Sequence, residues 1–515
     1  MRAVTNILQR SEKQSDEQKV IQSFVDVGII PQLNNANSQI FYGRRGTGKT
    51  HVLKVLEKEI LKKNENVVIY IDGRTLGSTA QFSDPDLPMK FRCLALFRDI
   101  LTPIYNCLLE RIIYKPNKNS KKALESVDRL LDSILEPEKK YEENEVTRDT
   151  SSSISKDLFG SVTLSNEPSI SAKKGVSKTE ETETIVKYNV KSEDKVVFPN
   201  LHDSLLETLN LMEVNLYILI DEWSSIPRDA QPYLAEFLKR GVLPIPTSVL
   251  KIASLEYRSN FSITDKNTII GFELGADIST APDLDDYYVF DRNPDTLIDI
   301  YSLIIYKHLI AELPTDYILK NYKINDHEKL VSVLFTDTPT VHELARSSEG
   351  VIRDLINIFT LSFFHSNRKG RKNIDKKSII ESARNWFERD KSNHLDDEMN
   401  RALRKIITHV IGEKKARSFL VLRELEKHPM IQKLFDARVI HSLQRGYADK
   451  DNPGLRYNIY TLDYGTYVDL IGTSQQPQIE LFQLENSSLT DAEIIVPFDD
   501  KRSIRRIILD KNILS

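Results

Sequence analysis

Cysteine is almost absent: Cys93 and Cys107 are the only two in 515 residues. Two thiols in one apolar stretch, without metal-ligand spacing, exclude a disulfide scaffold and a cysteine-rich zinc module. They read as small buried hydrophobes of a reducing, cytoplasmic compartment. Long apolar runs are missing as well. No stretch approaches the roughly 18 residues that a membrane span needs, and the polar segment 1–19 lacks the apolar core of a signal peptide. An excess of positive charge is also missing, since 71 Lys and Arg stand against 75 Asp and Glu, a net charge of −4. That excludes a global nucleic-acid footprint and confines any DNA contact to a local patch. With 40% hydrophobic and 28% charged residues, the chain has a globular composition. Its length implies about two to four domains.

Glycine is scarce too, 18 in all, yet three fall within Gly43-Arg44-Arg45-Gly46-Thr47-Gly48-Lys49-Thr50. This stretch fits G-x-x-x-x-G-K-[ST], the phosphate-binding P-loop. An apolar run, Ser38 to Tyr42, precedes it as a short strand. The following residues place Val52, Val55, Leu56 and Ile60 on one helical face. Glycines let backbone N–H groups turn toward phosphate oxygens, and the N-terminus of the next helix adds partial positive charge. Gly43, Arg44, Arg45, Gly46, Thr47, Gly48, Lys49, Thr50 and His51 are therefore expected to bind ATP. Lys49 reaches the β- and γ-phosphates, and the Thr50 hydroxyl ligates Mg²⁺.

Val67 to Ile71 reads as a buried parallel strand ending in the turn Asp72-Gly73-Arg74. Phe91 to Tyr114 reads as a long helix kinked or broken at Pro103. Residues 115–199 turn polar and low in complexity. They read as a mostly mobile insertion with a short helix near Leu124 to Leu135, alternating residues near Ile185 to Val190, and a hairpin. Then Leu216-Tyr217-Ile218-Leu219-Ile220-Asp221-Glu222 gives four or more apolar residues followed by two carboxylates, the Walker B pattern. Asp221 is expected to hold Mg²⁺, mainly through water, and Glu222 to deprotonate the attacking water. Ser248 to Leu255 is the next strand. Ser254 at its tip is the candidate sensor of the γ-phosphate, with Glu256 second. Tyr287 to Phe290 reads as a fifth strand. Strands alternating with helices imply an α/β fold, a parallel sheet with helices on both faces. Upstream, Phe24 to Ile30 either packs beside the base or belongs to the core; both readings stay open.

Residues 295–398 are mostly helical and fit a small bundle, a lid with Arg353 near the start of one helix. In 399–471, helices over 401–410, 416–427 and 433–446 followed by strands at 457–462 and 466–470 suggest a winged helix. Arg438, His441, Gln444, Arg445 and Arg456 are its candidate DNA contacts; packing or protein contact is the alternative. The tail, 472–515, carries a basic cluster, Lys501, Arg502, Arg505 and Arg506.

Walker A, Walker B, Ser254, the helical lid with Gly350-Val351-Ile352-Arg353 and the winged helix form a series that resembles the AAA+ ATPases of the origin-recognition type. The resemblance implies ATP bound between sheet domain and lid, with Ser254 as first sensor and Arg353 as second. It implies Mg²⁺-dependent hydrolysis and double-stranded DNA as a partner of the winged helix. A homo-oligomer is a further implication. The family places an arginine finger between the first sensor and the fifth strand; between Leu255 and Asp286 the only arginine is Arg258, so either Arg258 or Arg240 serves in trans, or the chain has no finger. The large insertion suggests a specialised role, and proteins of this general appearance sit in mobile-element or defence loci. The competing reading is a regulatory ATPase whose winged helix and insertion engage a protein effector without touching DNA. A small-molecule kinase is disfavoured, because the Asp221-Glu222 pair suits water as nucleophile.

Overall fold

The structure, a computed structural model, describes residues 1–7, 14–77, 89–132, 141–145, 169–173, 185–190, 198–265, 268–289, 294–314, 316–449, 452, 454–471, 473, 477 and 507–513. Three short helices, α1 (Arg2–Asn6), α2 (Glu17–Ser23) and α3 (Ile29–Leu33), lead into strand β1 (Gln39–Tyr42). Helix α4 (Lys49–Leu61) and strand β2 (Asn66–Asp72) follow. Helices α5 (Met89–Tyr114) and α6 (Ser120–Asp132) come next. Strands β3 (Tyr141–Glu145), β4 (Ser169–Lys173) and β5 (Ile185–Val190) form a separate antiparallel sheet in the order β3-β5-β4. Helix α7 (Phe198–Met212), strand β6 (Asn215–Asp221), helix α8 (Gln231–Gly241) and strand β7 (Ser248–Ser254) return the chain to the first domain. A hairpin, β8 (Ser262–Asp265) with β9 (Thr268–Gly271), and a two-residue strand, β10 (Ser279–Thr280), complete it.

The main sheet is parallel throughout, in the order β10-β1-β7-β6-β2. Strand β7 therefore lies between the P-loop strand and the Walker B strand, and brings Ser254 into register with Tyr42. Ile40, Ile218, Ile220, Leu250 and Ile252 pack on the face covered by α5, α6, α7 and α8. Phe41, Leu219 and Ala253 pack on the other face, in one apolar cluster with α4, the lid and the C-terminal domain. Burial on both faces explains why these strands read as unbroken apolar runs.

Three expectations need correction here. Of the kink or break expected at Pro103, the break does not occur, because helix α5 is continuous through it. Ile100, Leu101 and Ile104 around it are fully buried, and that packing overrides the cost of the missing N–H. The fifth strand is Ser279–Thr280 and not the segment beginning at Tyr287. Leu284–Tyr288 is a 3-10 turn capped by Asp283, whose side chain accepts from Asp285 N at 3.0 Å, and Phe290 lies outside the described residues. Helix α6 is core and not spacer: Ala123, Val127 and Leu130 are fully buried, and the Ser126 hydroxyl donates to Ser204 O of α7 at 2.9 Å. The polar runs Thr150 to Ser153 and Thr179 to Thr184 lie outside the described residues.

The lid is helical: α9 (Pro294–Ala311), α10 (Tyr317–Tyr322), α11 (His327–Leu334), α12 (Thr338–Ser347), α13 (Ile352–Arg368) and α14 (Lys376–Trp386). Helices α11, α12 and α14 start at an aspartate, Asp326, Asp337 and Asp375, whose carboxylate accepts the third backbone N–H of the helix. Each such cap contributes about 1 kcal/mol.

The C-terminal domain has winged-helix topology, with its elements displaced from those read in the sequence. Helix α15 (Asp397–Ile407) continues as a π turn to Glu413, and strand β11 (Ser418–Leu422) follows. Then come a 3-10 turn (Arg423–Lys427), helix α16 (Pro429–Asp436), and the wing hairpin of β12 (Ile440–Ala448) with β13 (Arg456–Leu462). The sheet order is β11-β13-β12. Residues 416–427 are not a helix. Phe419, Leu420 and Val421 are buried in succession, which a strand covered on both faces allows and a helical stripe does not. Residues 433–446 are not one helix either, because Arg438 takes a left-handed backbone (φ +61°) that ends α16. Residues 464–470 form 3-10 turns in place of the second expected strand. Leu420 N donates to Ile507 O, and Leu509 N to Leu420 O, both at 2.8 Å, so the tail covers the edge of β11. The basic cluster at 501–506 lies outside the described residues.

Candidate nucleotide site

Three chain reversals meet at the C-terminal edge of the main sheet: the P-loop after β1, the turn after β2 and the Walker B carboxylates after β6. Gly46 and Gly48 have φ of +90° and +99°, a backbone that glycine adopts without cost. A Cβ on Gly46 would also stand 2.8 Å from Arg353 Cβ, so only glycine lets the lid helix α13 approach the loop. Arg353 N donates to Gly46 O at 3.0 Å and fixes that approach.

Lys49 is buried, and its Nζ donates to the carbonyls of Gly43 (2.7 Å) and Arg44 (3.1 Å). Burial lowers its pKa, against the pull of Glu222 and Asp221. Thr50 Oγ1 and Tyr70 OH donate to Asp221 Oδ2 at 2.6 and 2.7 Å, while Glu222 N donates to Asp221 Oδ1 at 2.8 Å. Burial, with Asp221 beside it, pushes the Tyr70 hydroxyl far up. Glu222 itself sits in a left-handed backbone (φ +51°), a strained position at the end of the strand. Gly73 permits this, since a Cβ there would meet Glu222 O at 2.5 Å. Tyr70, Gly73 and Arg74, whose guanidinium pairs with Asp72, were not singled out from sequence. Register with the Walker B strand, Tyr70 opposite Leu219 and Asp72 opposite Asp221, is what brings them in.

A cleft of about 310 Å³ runs from these groups to the lid. Arg45, Gly46, Gly48, Lys49, Thr50, Arg74, Glu222 and Arg353 line it. So do Ile7, Lys19, Val20 and Ser23 near the N-terminus, His51 of α4, and His308, Ala311, Glu312 and Ile356 of the lid. So α2, and not the stretch Phe24 to Ile30, meets the cleft. Phe24 packs edge-on to His51 at 5.0 Å, while Val25, Ile29 and Ile30 belong to the core.

Five site candidates, Gly43, Arg44, Thr47, Asp221 and Ser254, are not among the residues that line the cleft. The Arg44 side chain turns away from it and is buried at the junction of all three domains. Its Nε lies 3.1 Å from Asp285 Oδ2 and its Nη2 donates to Glu349 O of the lid at 3.1 Å. Its Nη1 donates to His441 Nδ1, and its guanidinium lies 5.8 Å from the centre of the Phe435 ring; both are winged-helix residues. Ser254 is fully buried with its hydroxyl paired to Ser259, and is not a cleft-lining residue. Glu256 is held by Arg445 at 2.6 Å.

The winged-helix candidates for DNA are mostly committed elsewhere. Arg438 is buried against Asp354 (2.6 Å) and Asp390. His441 Nε2 donates to Asp463 at 2.8 Å, and Arg445 pairs with Glu256 and Asp283. They stand on or beside β12 at the domain junction, not on an exposed recognition helix. Gln444 is half-buried on β12; Arg456 is exposed and donates to Gly446 O at 3.1 Å. The finger candidates are paired too, Arg258 with Asp436 and Arg240 with Glu236, both at 2.6 Å.

Residues 8–80 match the ORC-CDC6-like family model. That stretch carries β1, the P-loop, α4 and β2. No curated protein matches the chain. Among solved structures, Cdc6p from Pyrobaculum aerophilum is 11% identical at a TM-score of 0.31, covering 91% of this chain and 96% of that one. The Aeropyrum pernix ORC2 protein, in ADPNP–ADP complexes, is 9% identical at a TM-score of 0.33, with the same coverages. The A. pernix ORC1 protein in complex with DNA is 13% identical at a TM-score of 0.30, covering 94% and 96%. No helix among the described residues is long and apolar enough to cross a membrane.

Proposed function

We propose that this chain is a Mg²⁺-dependent ATPase that works as a switch, passing the nucleotide state of its P-loop to its winged helix. Arg44 carries the reading. One P-loop residue ties the sheet domain, the lid and the winged helix together from within a buried junction. The loop around it suits a triphosphate: two glycines in left-handed backbone, a helix N-terminus, and a buried ammonium that donates to two backbone carbonyls. Thr50 and Asp221 would supply the hard oxygen ligands that Mg²⁺ prefers, and a metal held there would neutralise phosphate charge. Glu222 accepts the proton of the attacking water, and Arg353 meets the phosphates from the lid.

Phosphates compete with the Gly43 and Arg44 carbonyls for the Lys49 ammonium. Binding therefore alters the hydrogen bonding of the residue that holds the winged helix. A ligand shifts the domain arrangement only by its differential affinity for the two states, and this exchange supplies the difference. Lys49→Ala removes the ammonium for which phosphates and carbonyls compete. Calorimetry should show ATP affinity falling at least tenfold; unchanged affinity would remove the P-loop assignment.

We take duplex DNA as the partner of the winged helix. The exposed cations Arg401, Arg404, Arg423 and Lys427 favour it, whereas the buried Arg438 and His441 do not serve it. Phosphate contacts make log K fall linearly with log salt, by about one unit per contact. A flat salt dependence would favour the protein-effector reading.

A further inference from the structure

Six of the ten residues 368–377, in the lid turn that joins α13 to α14, are lysine or arginine, against one acid, Asp375, in a chain whose net charge is −4. All six, Arg368, Lys369, Arg371, Lys372, Lys376 and Lys377, are exposed. Three are tied down: Lys369 to Glu381 at 3.2 Å, Lys376 to Glu343 at 3.1 Å, and Arg371 to Asp375. Arg368 and Lys372 pair with no carboxylate among the described residues, and Lys377 acts on Glu381 only at a distance.

The local fold does not ask for this charge. A helix C-terminus favours cations, which accounts for Arg368 in the last turn of α13. A helix N-terminus disfavours them, yet α14 opens with Lys376 and Lys377 and has no acid in its first turn. Helices α9, α11 and α13 carry Asp295, Glu328 and Asp354 there. A departure from the local rule without a structural gain marks a functional surface. The chemistry fits phosphate. Protein interfaces are depleted in lysine and centre on a buried aromatic or apolar anchor. None of the ten residues is aromatic, and the one large apolar side chain, Ile374, is turned into the core. A phosphodiester backbone needs only exposed cations. Helix α14 also keeps the turn near the winged helix. Arg384 pairs with Asp469 there, and lies about 12 Å along the helix from Lys376 at 1.5 Å per residue.

We propose that the α13–α14 turn is a second DNA surface, carried by the lid, that holds the duplex backbone through Arg368, Lys372 and Lys377 and reads no bases. It takes its partner from the DNA reading above and adds a surface outside the winged helix.

The test is binding of the full chain to a mixed-sequence duplex, by fluorescence anisotropy over a range of salt. The triple variant Arg368→Gln, Lys372→Gln, Lys377→Gln should flatten the slope of log K against log salt by about 2–3 units, close to one per lost contact. The loss should be the same for unrelated duplex sequences. The urea midpoint should not fall, since these side chains form no ion pair and one of them opposes a helix dipole. Arg423→Gln with Lys427→Gln tests the winged helix separately, so either surface can fail without the other. A triple variant with the wild-type slope would overturn the inference and leave the winged-helix reading standing. So would a variant that keeps duplex binding but loses binding to polyglutamate, which would assign the turn to an acidic protein. If the wild type does not bind duplex DNA at all, both readings fall together.

Discussion

A single left-handed glycine and a single buried imidazole show how tightly this site is specified. At Gly46 an alanine must adopt φ +90°, which costs about 1 kcal/mol or more, and its Cβ would meet Arg353 at 2.8 Å. Gly46→Ala should therefore push the lid off the loop and weaken ATP binding about tenfold; equal affinity by calorimetry would show that the close approach is dispensable. Glu222→Gln keeps the shape of the side chain but cannot take a proton. It should bind ATP normally and turn it over at least about a hundred-fold more slowly. Turnover at the wild-type rate would remove Glu222 as the base. His441 is held neutral by burial and by the neighbouring Arg44, with its pKa down at about 3. Unfolded, it titrates near 6.5. The unfolded state thus binds more protons between those values, and stability falls as pH drops below about 6.5. Between pH 7.5 and 5.5 the wild type should lose about 1.4 kcal/mol more than His441→Gln in denaturant titrations. Parallel losses would mean that His441 does not stay neutral in the fold.

Elements were legible where local chemistry and packing agree. The P-loop strand and helix, the Walker B strand and the lid helices announce themselves through their apolar periodicity, and aspartate caps such as Asp326, Asp337 and Asp375 agree with it in the structure. The winged helix was legible as a topology and wrong in its parts. Ser418–Leu422 is a short apolar run that periodicity alone assigns to either helix or strand. The break at Arg438 depends on a non-glycine left-handed residue, for which sequence gives no signal. Arg44 illustrates the same limit in the site. The motif places its backbone, but only the packed domains show that its side chain faces the winged helix. Helix α6 was hidden by the polar composition around it, and it carries a prediction. Leu130→Ala removes a fully buried side chain between α5 and α7 and should cost about 2–5 kcal/mol in urea unfolding. A cost below about 0.5 kcal/mol would make α6 an appendage. Deleting Asn117 to Asp194 takes α6 with it, and should destabilise the sheet domain rather than spare it.

For the whole molecule, the three domains share one apolar cluster and one buried ionic junction. Asp354, next to Arg353, pairs with Arg438 (2.6 Å) and Lys391 (2.9 Å); Lys391 and His441 both reach Asp463; and Arg417 holds Glu349 at 3.3 Å. Buried pairs of this kind are costly to break one partner at a time, by about 3–5 kcal/mol. The junction therefore moves as a unit or not at all, which is what a switch requires. The central claim is that ATP at the P-loop repositions the winged helix through Arg44. A distance between spin labels at Lys62, exposed at the end of α4, and Lys427, exposed before α16, reads that motion directly. With Cys93 and Cys107 replaced, ATP and Mg²⁺ should shift the distance distribution of the otherwise wild-type chain. Arg44→Ala should bind ATP and show no shift. Identical distributions with and without ATP, in a chain that calorimetry shows to be loaded, would contradict the account.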